Sequence, residues 1–143
     1  MRSRRVSRRQ ESAPYVAETR GIQVRVSPYY LPDQSDPDAR QWVWAYEVHI
    51  ENRGEETVQL LSRRWVITDA LGRIEEVEGD GVVGEQPTLA PGEGFTYTSG
   101  CPLTTPSGVM LGQYRLKSDA GELFEAAIPA FSLDLPGARR IVN

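Results

Sequence analysis

In the run from Trp42 to Glu51, every second side chain is large and apolar. Trp42, Trp44, Tyr46, Val48 and Ile50 fall on one face, and Val43, Ala45, Glu47, His49 and Glu51 on the other. A period of two marks a half-buried strand. The same period recurs in Ile22, Val24 and Val26, and again in Phe95, Tyr97 and Ser99. Thr57 to Leu61 and Arg63 to Thr68 read as one long strand or two short ones. Arg73 to Glu78 follows them, and Val109 to Lys117 pairs with Leu123 to Ile128 as a hairpin across Ser118-Asp119-Ala120-Gly121. Phe131, Leu133 and Leu135 close the series. Turn residues separate these segments at Glu51 to Glu55, Asp69 to Gly72 and Ala90 to Gly94. No stretch of ten or more residues keeps a helical period without a Gly or Pro break. The expected fold is therefore all-β, a sandwich of seven or eight antiparallel strands.

The 143 residues suit one domain, and such a domain buries roughly two-thirds of its unfolded surface, enough for one core without staples. Residues 14–136 are expected to form it, with a basic arm at 1–13 and a frayed tail at 137–143. The arm carries Arg2, Arg4, Arg5, Arg8 and Arg9 and no acid among its first ten residues. Residues 11–143 keep 11 of the 16 basic residues against all 20 acids, a net charge near −9. An acidic body is poorly suited to nucleic acid, which is expected to bind only through the arm. No apolar run approaches the roughly 18 residues of a membrane span. The single cysteine, Cys101, has no internal disulfide partner, which points to a cytoplasmic setting.

Gly79-Asp80-Gly81-Val82-Val83-Gly84 matches the dinucleotide spacing G-x-G-x-x-G. That motif needs a helix directly after the third glycine, and Pro87 and Pro91 leave no room for one. Glu75, Glu76, Glu78, Asp80 and Glu85 would also repel phosphate. A bend between strands is the expected role. The ligand-binding candidates are Gly79, Asp80, Gly81 and Gly84, acting as a backbone nest for a small anion. Glu76 and Glu78, on one face of a strand, are candidates for a divalent cation, as are Asp33, Asp36 and Asp38 in a proline-rich loop. No cofactor is expected. His49 and Cys101 could serve as a base and nucleophile only by meeting in space; cross-strand contact and packing in a turn are their expected roles. Arg63 and Arg64 beside Trp65 form a basic break in an acidic body. These three are the candidates for a protein-binding edge, whereas most of Trp42, Trp44, Tyr46 and Trp65 are expected in the core.

Val58-Gln59-Leu60-Leu61-Ser62-Arg63-Arg64-Trp65, Gly81-Val82-Val83-Gly84-Glu85-Gln86-Pro87, Tyr97-Thr98-Ser99-Gly100-Cys101-Pro102-Leu103 and Ile128-Pro129-Ala130-Phe131 resemble segments of the ApaG family. The resemblance spans about residues 14–136. It implies a fibronectin type III-like or immunoglobulin-like sandwich, and a genetic link to cobalt resistance and magnesium efflux in bacteria. Eukaryotic relatives carry the module in an F-box protein and a DNA polymerase-interacting protein. A non-enzymatic binding module with a protein partner is the implied function, with small-anion or divalent-cation binding at Gly79–Gly84 as the alternative. Family members often carry histidine where this chain has Arg64.

Overall fold

The computed structural model describes residues 14–137. The basic arm and all of the expected tail except Gly137 lie outside the described residues. Nine strands run β1 Tyr15–Thr19, β2 Ile22–Tyr30, β3 Trp42–Asn52, β4 Val58–Asp69, β5 Ile74–Asp80, β6 Thr88–Leu89, β7 Gly94–Leu103, β8 Gly108–Ser118 and β9 Leu123–Leu133. They form two antiparallel sheets, one ordered β1-β2-β3-β7 and the other β5-β4-β8-β9, with β6 beside the start of β4. This is the all-β sandwich expected from the alternation, with nine strands rather than seven or eight, in the fibronectin type III-like form that the resemblance implies. Among the described residues no helix is long and apolar enough to cross a membrane.

The inner faces meet in one core. Trp44, Val48 and Ile50 from β3 and Leu60, Tyr114, Leu116, Phe131 and Leu133 from the other sheet are all buried. Tyr46, Trp65 and Phe131 pack as a ring cluster, with Trp65 edge-on to Tyr46 at 5.3 Å and to Phe131 at 5.9 Å. Such contacts add about 0.5–1.5 kcal/mol each beyond their buried area. Asn52, also buried, holds the bottom of the sandwich. Its amide donates to Glu56 O and Leu89 O, tying the β3–β4 turn to β6.

Several boundaries differ from the sequence reading. Tyr15–Thr19 is a strand that the alternating segments did not include. β2 runs on past Val26 and takes in Pro28. Its missing N–H faces the β1 side, two residues beyond the last β1 pair, Tyr15↔Val26, so no described neighbour needs it. Gly100-Cys101-Pro102 continues β7, which runs to Leu103. Phe131 to Leu133 is joined to β9 through a bulge opposite Met110 and Gly112 rather than forming its own strand. A second bulge, between Leu60 and Ser62, lets Thr57-to-Leu61 and Arg63-to-Thr68 run as one strand.

Candidate functional site

The bulge in β4 resets which side chains point inward. After it, Trp65 and Ile67 face the core, and Arg63 shares their side. Ser62, Arg64, Val66 and Thr68 point outward. Of the three expected partner-binding residues, only Arg64 therefore reaches the outer face. Trp65 is 3% exposed and fills the core, which corrects its assignment to a partner surface. Alternation forbids three consecutive strand residues from sharing one surface.

Arg63 stays inside the edge of the sandwich. Its guanidinium donates to Asp80 O at 3.0 Å and Gly81 O at 2.8 Å. It also sits close enough to Tyr46, Tyr97 and Tyr114 to favour their ionised forms, although burial, the larger effect, pushes all three phenols up. Arg63 is thus a brace for the glycine segment.

The glycine segment itself is a tight reversal, as expected from its prolines. Val82 and Glu85 exchange N–H···O bonds of 2.8 and 2.9 Å, with Val83 at φ +41° and Gly84 at φ +82° between them. This two-residue connection has the positive φ pair of a type I′ turn. Gly81 donates to Leu61 O, so the amides of Gly81, Val82 and Glu85 are all engaged within the fold. A Cβ on Gly81 would come within 2.3 Å of Glu85 O, and one on Gly79 within 2.8 Å of the Arg63 guanidinium. Gly79, Gly81 and Gly84 each answer a packing or turn requirement, and Asp80 lends its carbonyl to Arg63.

The outer face of the β5-β4-β8-β9 sheet is ordered in cross-strand rows. Ile74, Thr68 and Val109 form one row, and Glu76, Val66 and Leu111 the next. Glu78, Arg64 and Gln113 follow, then Asp80, Ser62, Arg115 and Glu125. The first two rows are largely apolar. Ile74 is 65% exposed, Val109 41% and Leu111 43%, and Leu71 in the adjoining turn is 68% exposed. The last two rows surround an open hollow of about 380 Å³. Its floor is low because Ser62 is small.

Charge in the hollow is paired and balanced. Arg64 reaches Glu76 at 2.8 Å and Glu78 at 3.3 Å, and Arg115 reaches Glu125 at 3.7 Å. Gln113 donates to Glu125 at 2.9 Å. Three carboxylates, Glu78, Asp80 and Glu125, thus line the hollow with three guanidinium groups, those of Arg63, Arg64 and Arg115. The expected basic break is locally neutralised, because β5 lays Glu76 and Glu78 beside Arg64. Glu76 and Glu78, the cation candidates, are ion-paired to Arg64. Among the described residues, no group of three or more His, Cys, Asp and Glu side chains is placed to hold a metal ion, and Asp33, Asp36 and Asp38 form no such group.

Cys101 and His49 do not meet. Cys101 points inward from β7, where burial chiefly, and Glu75 secondarily, push its thiol up to about 11. His49 points outward from β3 and shares a 2.7 Å hydrogen bond with Thr96 Oγ1 across the strands, the cross-strand contact expected of it. They occupy opposite faces of one sheet, five rows apart. The expected position of Cys101 in a turn is corrected to a strand.

Sequence reasoning missed Val66, Ile74, Val109 and Leu111. The available signal was Val109 and Leu111 flanking Met110, apolar on both sides of a strand with one buried face.

The model of the ApaG domain matches residues 32–118. Protein ApaG of Mesorhizobium japonicum is 60% identical over 129 residues, covering 90% of this chain and 99% of that protein. Protein ApaG of Caulobacter vibrioides is 57% identical over 143 residues, covering all of both chains. A crystal structure of an ApaA protein from Bordetella pertussis superposes with a TM-score of 0.81 at 49% identity, covering 87% of this chain and all of that one. The chain belongs to the ApaG family.

Proposed function

We propose that this protein is a non-enzymatic binding module that docks a protein partner on the outer face of the β5-β4-β8-β9 sheet. One observation carries the reading. Of seven large apolar residues that stand exposed among the described residues, Leu71, Ile74, Val109 and Leu111 gather at one end of that face. Exposed apolar side chains scattered singly need no explanation, but a contiguous group beside a polar rim marks an interaction surface. Trp65 and Phe131 support the sheet from beneath, so the face is rigid and little ordering accompanies binding. The partner's complement is an apolar anchor over Val66 and Leu111, flanked by polar groups of both signs that meet the paired charges of Arg64, Glu78, Arg115 and Glu125.

The test is quantitative affinity capture from native lysate with the wild type, Leu111→Asp, and Val16→Asp as a control at an exposed site on β1. Partners lost with Leu111→Asp and kept with Val16→Asp support the face, with recovery falling at least about tenfold for a central contact. Partners unaffected by Leu111→Asp exclude it.

A further inference from the structure

The two sheets leave one flank closed and one flank open. On the closed flank β1 lies against β9. Thr19 Oγ1 accepts the Ala127 N–H at 3.1 Å, and Tyr15 Oη accepts the Ser132 N–H at 3.4 Å. The open flank is formed by β5 and β7, the last strands of their sheets.

Edge strands invite pairing with other chains, and native proteins guard them with charge, shortness or cover. β5 carries Glu75, Glu76, Glu78 and Asp80, and β6 is two residues long. β7 is neither charged nor short, and its one guard, Pro102, stands near its end. Its ten residues, Gly-Phe-Thr-Tyr-Thr-Ser-Gly-Cys-Pro-Leu, include no charge, and among the described residues it pairs with β3 alone.

The ladder fixes which groups β7 presents. Asn52 N–H bonds Glu93 O, and hydrogen-bonded pairs alternate along an antiparallel ladder. Even-numbered residues of β3 therefore bond to odd-numbered residues of β7. The bonds Leu31 N–H to Val43 O and Arg53 N–H to Gly21 O agree, since they assign the odd-numbered residues of β3 to β2. The N–H and C=O groups of Thr96, Thr98 and Gly100 then point into the open flank. Pro102, with no N–H, falls on the same side, where proline is tolerated.

We infer that the β7 edge accepts an extended segment of another protein by strand addition, and that this segment carries basic side chains. Strand addition supplies affinity through main-chain bonds and specificity through alternate side chains. One set of those side chains would turn inward toward β5, where Glu75 is exposed near Cys101. Lysine or arginine there complements Glu75, the one β5 carboxylate on the inward side. A second copy of this chain fits less well, because its own β7 carries no cation to set against Glu75. This surface is separate from the outer face described above, and the two can succeed or fail independently.

The experiment uses the full chain labelled with ¹⁵N and a ten-residue probe peptide alternating valine and lysine. The expected result is localised amide shifts at Thr96, Thr98 and Gly100, absent when glutamate replaces lysine in the probe. Thr98→Pro removes one outward donor without touching the β3 ladder, and weakens binding about tenfold. Thr96→Pro gives the same result and serves if Thr98→Pro does not fold. Overturning results are no localised shifts at millimolar probe, shifts confined to Val66 and Leu111, equal binding of the glutamate probe, or unchanged binding by the proline variants. A concentration-dependent dimer through β7 without probe would assign the edge to a second copy instead.

Discussion

The guanidinium of Arg63 occupies the space that a Cβ at position 79 would need. Gly79 pairs directly with Arg63 across the β4–β5 ladder, and an added Cβ would lie 2.8 Å from Arg63 Nη2. Arg63 in turn bonds the carbonyls of Asp80 and Gly81, so a missing side chain on one strand admits the brace that fixes the following turn.

Gly79→Ala should therefore displace the brace and cost about 1–2 kcal/mol, the scale of a lost charge-assisted hydrogen bond. In an Arg63→Ala background the same change should cost less than about 0.5 kcal/mol, because nothing is left to displace. Urea denaturation of the four proteins gives the cycle. Equal costs in both backgrounds would separate Gly79 from Arg63.

Val83 is a β-branched residue at φ +41° and is 57% exposed. Positive φ is costly for such a side chain, and asparagine followed by glycine is the favoured pair in a type I′ turn. Val83→Asn should raise stability by about 1 kcal/mol, or roughly 3–5 °C in melting temperature. Calorimetry checks it. A lower melting temperature would mean that Val83 makes a stabilising contact that outweighs its strain.

Tyr97 and Tyr114 share a buried hydroxyl–hydroxyl hydrogen bond, and burial pushes both phenols up. A folded-state pKa above the unfolded value adds stability below the unfolded pKa, near 10 for tyrosine, and that stability is lost as pH rises through the folded value. Cys101, raised to about 11, acts in the same direction from a lower starting point. Urea midpoints should fall as pH rises past about 9–10 through these groups, and more gently in Tyr97→Phe. At neutral pH, Tyr97→Phe should cost about 1–3 kcal/mol by leaving Tyr114 without its partner, while the double phenylalanine variant should recover most of it. An unchanged alkaline slope in Tyr97→Phe would contradict the assignment.

Arg64 differs from Arg63. Its partners Glu76 and Glu78 have side chains 57% and 71% exposed, and surface pairs contribute little. Arg64→Ala should cost under about 1 kcal/mol in urea denaturation. A loss of several kcal/mol would place Arg64 in the structural framework rather than on a binding face.

The layered fold was legible because period-two alternation in Trp42–Glu51 and turn clusters between segments leave a sandwich as the main solution. The glycine segment was legible as a bend because Pro87 and Pro91 exclude the helix a dinucleotide site requires. The candidate face was not. Arg63, Arg64 and Trp65 are adjacent in sequence, yet alternation sends 63 and 65 inward and 64 outward. The β4 bulge at Leu60/Ser62, which no local residue announces, sets that phase. The charge of the face was hidden for another reason. Arg64 acquires Glu76 and Glu78 only through the β4–β5 register, which joins residues 12 and 14 positions apart. Pro102 obscured β7, since proline reads as a break unless the strand is known to lie at an edge.

The outer face is tested most directly by placing a photo-crosslinking amino acid at Leu111 and, in a separate protein, at Val16, and irradiating cells that express each. A discrete protein adduct formed from position 111 and not from 16 is the expected result. Adducts of equal yield from both positions, or from 16 alone, would contradict a partner seated over Val66 and Leu111.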